Sequence, residues 1–563
     1  MSPDAARPWL RWYRDAERAF SPETCSPYAS IPELVAAAAE HGAAPCFSIV
    51  LPNGAAATLS YRALDEAADA FARTLIDRYG IETGDVVAIQ APNCLGYPVA
   101  LIGALRAGAI VSNVNPLYTA FETKRQIADC GAKLLVGFDL FAPVLEEVVE
   151  AHPDLPLILL SVTDLFPPAR RTLLRLAMRY VRRMVPPLHV PALGLHAVLA
   201  EGRRSRTPLA GRAITGDAPC FYQYSGGTTG VSKGVELTAR GLLVNMEQAT
   251  AMSPDHLKRP GRTALLALPL YHMFGLFISA GSMQLGGHVV LIPNPRPLAN
   301  LKPAFERFQP DIFPGVNALF AGLLEEPWFK ADPPRSIEIT FSGATSLNEA
   351  VAKRWTAATG SLIAESYGMT ETTTVLTTNP LDERNRFGTV GLPLPGVDLR
   401  IVDRDGQDLP PGEAGEVLAR GPQIMRGYRG RAEATEEAFL DGWLRTGDIG
   451  VLEPDGYLRI VDRMKDMLIV SGFNVYPNEV EEVIAAVPGV AEVGVVGRPA
   501  ADKGEEVVAF VVSADANLSA DRIAAACRDR LTAYKRPHEV RFVETLPKSP
   551  VGKVLRRDLR ALL

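Results

Sequence analysis

No two cysteines in this sequence stand at C-x-x-C spacing. The six, Cys25, Cys46, Cys94, Cys130, Cys220 and Cys527, are scattered through 563 residues. That usage suits reduced thiols in a cytoplasm and offers no cysteine metal site. A basic excess is missing too. The 58 Lys and Arg are outnumbered by 64 Asp and Glu, for a net charge of −6, which argues against general nucleic-acid affinity. There is no long unbroken apolar run. The longest tract, Ala264 to Pro293, is interrupted by Pro269, His272, Gly275, Gly281, Gly286, Gly287 and His288. It reads as buried strands and a helix, not as a membrane span. The opening segment MSPDAARPWLRWYRDAERAF carries charges throughout and no apolar h-region, so no secretory signal is expected. What remains is ordinary for a globular protein, with 47% hydrophobic and 22% charged residues. The chain is too long for one core and should divide into domains.

From about Leu59 to Val136 helical and strand patterns alternate. SYRALDEAADAFARTLIDR has helix-spaced Leu and Ala, DVVAIQAP is β-rich, and LGYPVALIGALRAGAIVSNVNP joins a helix to a strand through Gly108. A similar rhythm runs from Pro219 to Thr378, and the alternation predicts α/β layers. Between Gly388 and Val461, short runs such as VDLRIVD, GEVLARG and YLRIVDR are separated by turn-rich DRDGQDLPPGEAG and EPDG, which predicts a small β-rich subdomain. After Lys465 a compact α+β pattern follows, of a length suited to a separate domain. The expected boundaries are 1–464 and 465–563.

Residues 222–235 read YQYSGGTTGVSKGV, between two strand-like runs. Gly226, Gly227 and Gly230 permit positive φ and close backbone approach. The hydroxyls of Ser225, Thr228, Thr229 and Ser232 can donate to phosphate oxygens, and Lys233 adds a positive charge. A Walker A loop would place Lys directly after Gly and open a helix. Here Val231 and Ser232 intervene and strand-like GVELT follows, so the loop reads as a phosphate grip of another kind; the alternative is a flexible surface linker. A second segment, ARRTLLRLAMRYVRRMV, is bracketed by Pro167-Pro168 and Pro186-Pro187. It holds Arg170, Arg171, Arg175, Arg179, Arg182 and Arg183 and no acid. Leu174, Ala177, Met178, Val181, Met184 and Val185 recur at helical spacing. A basic amphipathic helix over 170–185 is expected, either a peripheral membrane contact or a solvated surface helix.

Four further strings accompany the Gly/Thr loop: ESYGMTE at 365–371, GWLRTGDIG at 442–450, DRMKDMLIVSGFNVYPNE at 462–479, and terminal LPKSPVGKVLRRDL. Each taken alone is compatible with a capped helix, a turn aspartate or a surface lysine. Together and in this order they resemble the adenylate-forming enzymes: acyl-CoA synthetases, luciferases and peptide-synthetase adenylation domains. The resemblance runs from about Trp9 to Leu559. It is nearest to bacterial long-chain fatty acyl-CoA ligases, through NPLYTAFE, LPLYHMFG, PGVNALFAGLL, GYRGRAEATEEAF and SGFNVYPNEVEEV. Met369 replaces a commoner leucine, and no catalytic group is lost. No insertion separates Arg463 from Ser471, which favours coenzyme A over a carrier protein as acceptor.

The resemblance implies a large multi-subdomain α/β adenylation domain and a small mobile α+β C-terminal domain. It implies ATP-dependent formation of acyl-AMP and pyrophosphate, then thioester formation with coenzyme A. The loop Ser225, Gly226, Gly227, Thr228, Thr229, Gly230 and Lys233 would hold the β- and γ-phosphates. Thr370 would bond the α-phosphate and Glu371 would hold Mg²⁺. Tyr367, with neighbouring Glu365 and Gly368, would line the nucleotide site, with Gly343 and Ala344 on the other side of adenine. Asp448 and Arg463 would grip the ribose, and Lys553 would bridge carboxylate and α-phosphate. Lys465 takes the hinge position, and Ser471, Gly472 and Phe473 would line the coenzyme A tunnel. His272, Met273, Phe274, Gly275, Ser279, Gly315, Val316 and Asn317 are the acyl-pocket candidates, with ordinary core packing as the rival reading. The expected partners are a fatty acid, ATP and coenzyme A, with no nucleic acid; a homodimer is left open. The expected location is the cytoplasm, with contact at the inner face of the membrane through 170–185. Two other functions stay open: the same chemistry on medium-chain, aryl or hydroxy acids, and a non-catalytic relative that binds acyl groups or nucleotides. The retained Glu371, Asp448, Arg463 and Lys553 argue against the latter.

Overall fold

A computed structural model describes residues 7–225, 232–255, 258–470, 473–500, 504–549 and 552–563. The alternation in the sequence becomes two large sheets covered by helices. In the first, the strands Pro45–Val50, His288–Leu291, Thr263–Leu266, Ile312–Gly315, Ile339–Ser342 and Ile363–Tyr367 lie side by side in parallel. In the second, Pro219–Ser225, Ile110–Asn113, Val86–Ile89, Ala132–Phe138 and Leu157–Leu160 do the same. Strands covered on both faces need near-continuous apolar sequence, and VVAI, LILL and HVVL supply it.

Expected elements fall where their patterns put them. SYRALDEAADAFARTLIDR forms the helix Tyr61–Tyr79, whose N-cap is the Ser60 side chain and whose C-cap is left-handed Gly80. Gly96–Arg106 is the next helix, and Gly108 at φ +88° turns the chain into the strand Ile110–Asn113. The tract from Ala264 to Pro293 resolves into the strand Thr263–Leu266, the helix Met273–Gln284 and the strand His288–Leu291.

The turn-rich stretch forms a small antiparallel sheet of Asp398–Val402, Ala414–Arg420, Phe439–Leu440, Trp443–Leu452 and Leu458–Arg463. After it, Leu468–Val470, Phe473–Val475, Val490–Ala500, Gly504–Ser513 and Glu539–Phe542 form a separate sheet with its own apolar cluster, including Val480, Ile484, Val495, Ala509 and Ile523. The chain passes from one sheet to the other through Met464 to Met467.

The basic helix is shorter than the pattern implies. It runs from Pro168 to Leu176 and closes with a wider π turn, Ala177–Val181. Arg183 takes φ +51°, so Met184 and Val185 lie beyond the helix. Leu174 and Met178 pack against the main core. Leu173, Leu176, Tyr180 and Val181 face outward instead, Val181 being 77% exposed.

Candidate active site

The site lies where the first large sheet, the small antiparallel sheet and the C-terminal domain meet. Asp448 and Arg463 are directly opposed on neighbouring antiparallel strands. Arg463 Nε lies 2.9 Å from Asp448 Oδ1, and Tyr367 donates its hydroxyl to Asp448 Oδ2 at 2.7 Å. The Asp448 backbone N–H is capped by Thr446 Oγ1 at 3.1 Å. Burial first, and then the Asp448 charge, pushes the Tyr367 phenol well above its usual range, keeping it a donor. Asp448 raises Arg463 in turn. The trio is thus a rigid, charge-paired floor.

Tyr367 ends the strand Ile363–Tyr367, and Gly368 follows because nothing larger fits. A Cβ there would stand 1.9 Å from the Thr374 carbonyl oxygen. Thr370 and Glu371 lie in the short turn Thr370–Thr372, with Glu371 buried. Tyr428 donates to Glu371 Oε1 at 3.0 Å, and the Glu371 carbonyl accepts from Met425 N–H at 2.8 Å. Lys233 opens the strand Lys233–Thr238, and its ammonium sits 4.7 Å from the centre of the Tyr428 ring. Lys233, Tyr428 and Glu371 thereby form one edge of the site. The Gly/Thr loop leads from strand to strand, Ser225 pairing opposite Lys233, unlike a Walker A loop. Its residues Gly226, Gly227, Thr228, Thr229 and Gly230 lie outside the described residues, as do Ser471 and Gly472.

Gly343 and Ala344 follow the strand Ile339–Ser342, with Ala344 left-handed at φ +65°. Glu365 acts on this loop from beneath: its Oε1 accepts from Leu347 N–H at 3.0 Å, and burial pushes its carboxyl up to about 7. Its side chain therefore shapes the Gly343–Leu347 turn.

Lys553 reaches this centre from the C-terminal domain. Its loop is closed by Ser549 N–H to Lys553 carbonyl at 2.7 Å and by Lys553 N–H to Ser549 Oγ at 3.1 Å, with Gly552 at φ +81°. A Cβ on Gly552 would lie 3.5 Å from Val316 Cγ2, so the loop rests on the N-terminal domain. The Lys553 side chain still reaches solvent, yet crowding protein atoms and then Arg463 push its ammonium down to about 8. Lys465, in the connector, is also lowered, by burial and then by Arg463. Phe473 is exposed and stacks on Tyr534 at 4.6 Å.

An elongated cavity leaves the site beside Ser366 and Phe341. It follows one face of the helix Met273–Gln284 through Phe274, Phe277, Ile278 and Gly281 to Leu285, with Met246 and Ala249 opposite. Its volume is about 130 Å³. At its head a Cβ on Gly343 would lie 3.2 Å from the Phe274 ring. His272, Gly275, Gly315 and Val316 are not among its lining residues. His272 caps the helix, accepting from Phe274 N–H, and burial pushes it down to about 4, so it is neutral. Gly275 admits the Pro269 carbonyl, Gly315 faces Phe320, and Val316 supports the Lys553 loop. Phe274 is the one sequence candidate for the pocket that lines it.

Comparison with known proteins fits this geometry. Residues 34–429 match the AMP-binding enzyme family, and residues 479–553 match the AMP-binding enzyme C-terminal domain. The chain belongs to the AMP-binding enzyme family. It is 43% identical to a long-chain-fatty-acid–CoA ligase of Salmonella typhimurium, over 89% of this chain and 90% of the relative. It is 34% identical to one from Bacillus subtilis, over 85% and 86%. The ATP-bound structure of MatB from Rhodopseudomonas palustris superposes with a TM-score of 0.77 at 29% identity, covering 94% of this chain and 98% of that one.

Proposed function

We propose that the protein is a long-chain fatty acid–CoA ligase working through an acyl-adenylate. The observation that carries this reading is the Tyr367–Asp448–Arg463 floor at the head of a largely apolar cavity, with the loop of Lys553 packed on Val316 of the same domain through Gly552. In the first half-reaction a carboxylate oxygen attacks the α-phosphorus of ATP, and the bond to pyrophosphate breaks. Two anions must approach, so cations have to offset their repulsion. Lys553 serves between carboxylate and α-phosphate, and Lys233 serves at the outer phosphates beside the Gly/Thr loop. Asp448 and Arg463 hold the ribose, and Tyr367 with Gly343 and Ala344 encloses adenine. Thr370 donates to the α-phosphate.

Glu371 is the residue that would hold Mg²⁺. No cluster of three or more ligating side chains occurs among the described residues. A single buried carboxylate suits an ion held largely through substrate phosphates and water. When bound, it would neutralise phosphate charge.

In the second half-reaction the sulfur of coenzyme A attacks the acyl carbon and the bond to AMP breaks. With Lys553 between carboxylate and α-phosphate its loop would stand in the way of the thiol, so residues 465–563 would turn as a body about Lys465, bringing Ser471, Gly472 and Phe473 to the pantetheine path. The cavity is lined mainly by apolar side chains, which suits an alkyl chain, with Lys258, Arg259 and Arg262 also on its wall. The fatty acid arrives from a membrane surface. No helix among the described residues is long and apolar enough to cross one, but exposed Leu173, Leu176, Tyr180 and Val181 beside Arg175, Arg179 and Arg182 suit peripheral contact with anionic lipid. Pyrophosphate release across a series of acids tests the reading: release should require a long alkyl chain, and a preference for short or aryl acids would overturn it.

A further inference from the structure

Three residues beyond Lys553, Arg556 gathers acids from both sides of the connector. Its Nη2 donates to Glu481 Oε2 at 2.8 Å and to Asn478 Oδ1, and its Nη1 to Asp462 Oδ1 at 3.0 Å and Asp466 Oδ2 at 3.4 Å. Asn478 donates its backbone N–H to Asp462 Oδ2 at 2.8 Å and its amide to the Val461 carbonyl at 3.1 Å. Asp462 and Val461 belong to the last strand of the small N-terminal sheet, whereas Asp466, Asn478, Glu481 and Arg556 all follow Lys465.

These contacts fall into two sets. Arg556 with Glu481 and Asp466 lies within the C-terminal domain and would travel with it. The bonds from Arg556 and Asn478 to Asp462 and Val461 cross the connector and must break if that domain turns. The Asp462 side chain is 0% exposed. Burial pushes its carboxyl above the usual carboxylate range against the pull of Arg556, so it depends on these donors for its charge. Asp462 is also fixed to the catalytic floor, being the residue before Arg463.

We infer that Asp462 is a positioning residue for adenylation, a latch that grips Arg556 and Asn478 to hold the Lys553 loop over the site and lets go before thioester formation. The inference rests on the proposed two-step reading. It makes the latch act on one half-reaction alone, because the crossing bonds exist only while Lys553 is in place.

The test uses the full-length enzyme and two assays: acid-dependent exchange of labelled pyrophosphate into ATP, and consumption of preformed acyl-AMP by coenzyme A. Asp462→Asn and Asn478→Ala should each slow exchange at saturating ATP by about ten-fold, the scale of a lost charge-assisted hydrogen bond. Acyl-AMP consumption should be unchanged or faster. Asn478 does not touch Arg463, so its variant separates latching from ribose contact: the loss should appear in kcat and leave KM for ATP alone. Arg556→Lys should recover part of the exchange rate lost in Arg556→Ala. Equal losses in both assays, or a raised KM for ATP as the sole effect, would overturn the latch. Lys553→Ala is the reference. If it loses exchange alone while Asp462→Asn and Asn478→Ala keep it, the latch is wrong and the two-step reading stands. If Lys553→Ala affects both assays equally, the reading itself fails.

Discussion

Lys553 works against its surroundings: crowding and Arg463 push its ammonium down to about 8. A lysine whose value is depressed loses its charge as pH rises through that value. The kcat/KM for adenylation, which reports the free enzyme, should therefore fall above about pH 8. Lys553→Arg should move that limb upward because a guanidinium stays charged; an unchanged limb would assign it to another group. For Glu371→Gln, adenylation should drop by about 10²-fold and need more Mg²⁺, the scale of a lost transition-state contact. Overlaid Mg²⁺ titrations would remove Glu371 from the metal. Gly368→Ala puts a methyl against the Thr374 carbonyl and should cost about 1–3 kcal/mol of stability, read as a lowered melting temperature. Most of these residues were legible in the sequence because catalysis fixes residue type at motif spacing. Of the acyl lining only Phe274 was. Phe277, Ile278 and Gly281 are apolar like the core around them, and only packing of the helix Met273–Gln284 decides which face borders a void.

Two elements bear on the proposed motion and on the proposed membrane contact. The connector Met464–Met467 is anchored by Met464 N–H to the Gly447 carbonyl at 2.9 Å and by Asp466 N–H to the Arg463 carbonyl at 3.0 Å. Proline at Lys465 would fix φ near roughly −65°. Lys465→Pro should keep pyrophosphate exchange and lose thioester formation; full coenzyme A-dependent turnover would move the hinge elsewhere. For the basic helix, charge composition was readable but its extent was not. Arginine and apolar spacing continued past Val181 through Met184 and Val185, while the left-handed backbone at Arg183 ended the helix. Its outward apolar residues are Leu173, Leu176, Tyr180 and Val181, because Leu174 and Met178 are used by the core. Changing Arg171, Arg175, Arg179 and Arg182 together to Gln should abolish salt-sensitive sedimentation with anionic vesicles, since each basic residue near such a surface contributes about 1 kcal/mol. Activity on a soluble shorter acid should persist. Unchanged sedimentation would leave a plain surface helix.

At the scale of the molecule, the two large, mainly parallel sheets, the small antiparallel sheet and the C-terminal domain followed from hydrophobic period and turn-rich punctuation, which local sequence encodes. Their mutual placement did not. The approach of Gly552 to Val316, residues far apart in the chain, depends on side chains that no local pattern specifies. On the proposed function, that approach is what would place Lys553 for acyl-AMP formation and make domain rotation a requirement of the second step. The most direct measurement of this account is pyrophosphate release and thioester formation followed together on one long-chain fatty acid, with wild type and Lys553→Ala, each supplied either with ATP and acid or with preformed acyl-AMP. The account predicts that wild type performs both reactions, while Lys553→Ala releases no pyrophosphate yet converts acyl-AMP and coenzyme A to thioester. Failure of wild type to make acyl-AMP from a long-chain acid, or equal loss of both steps in the variant, would contradict it.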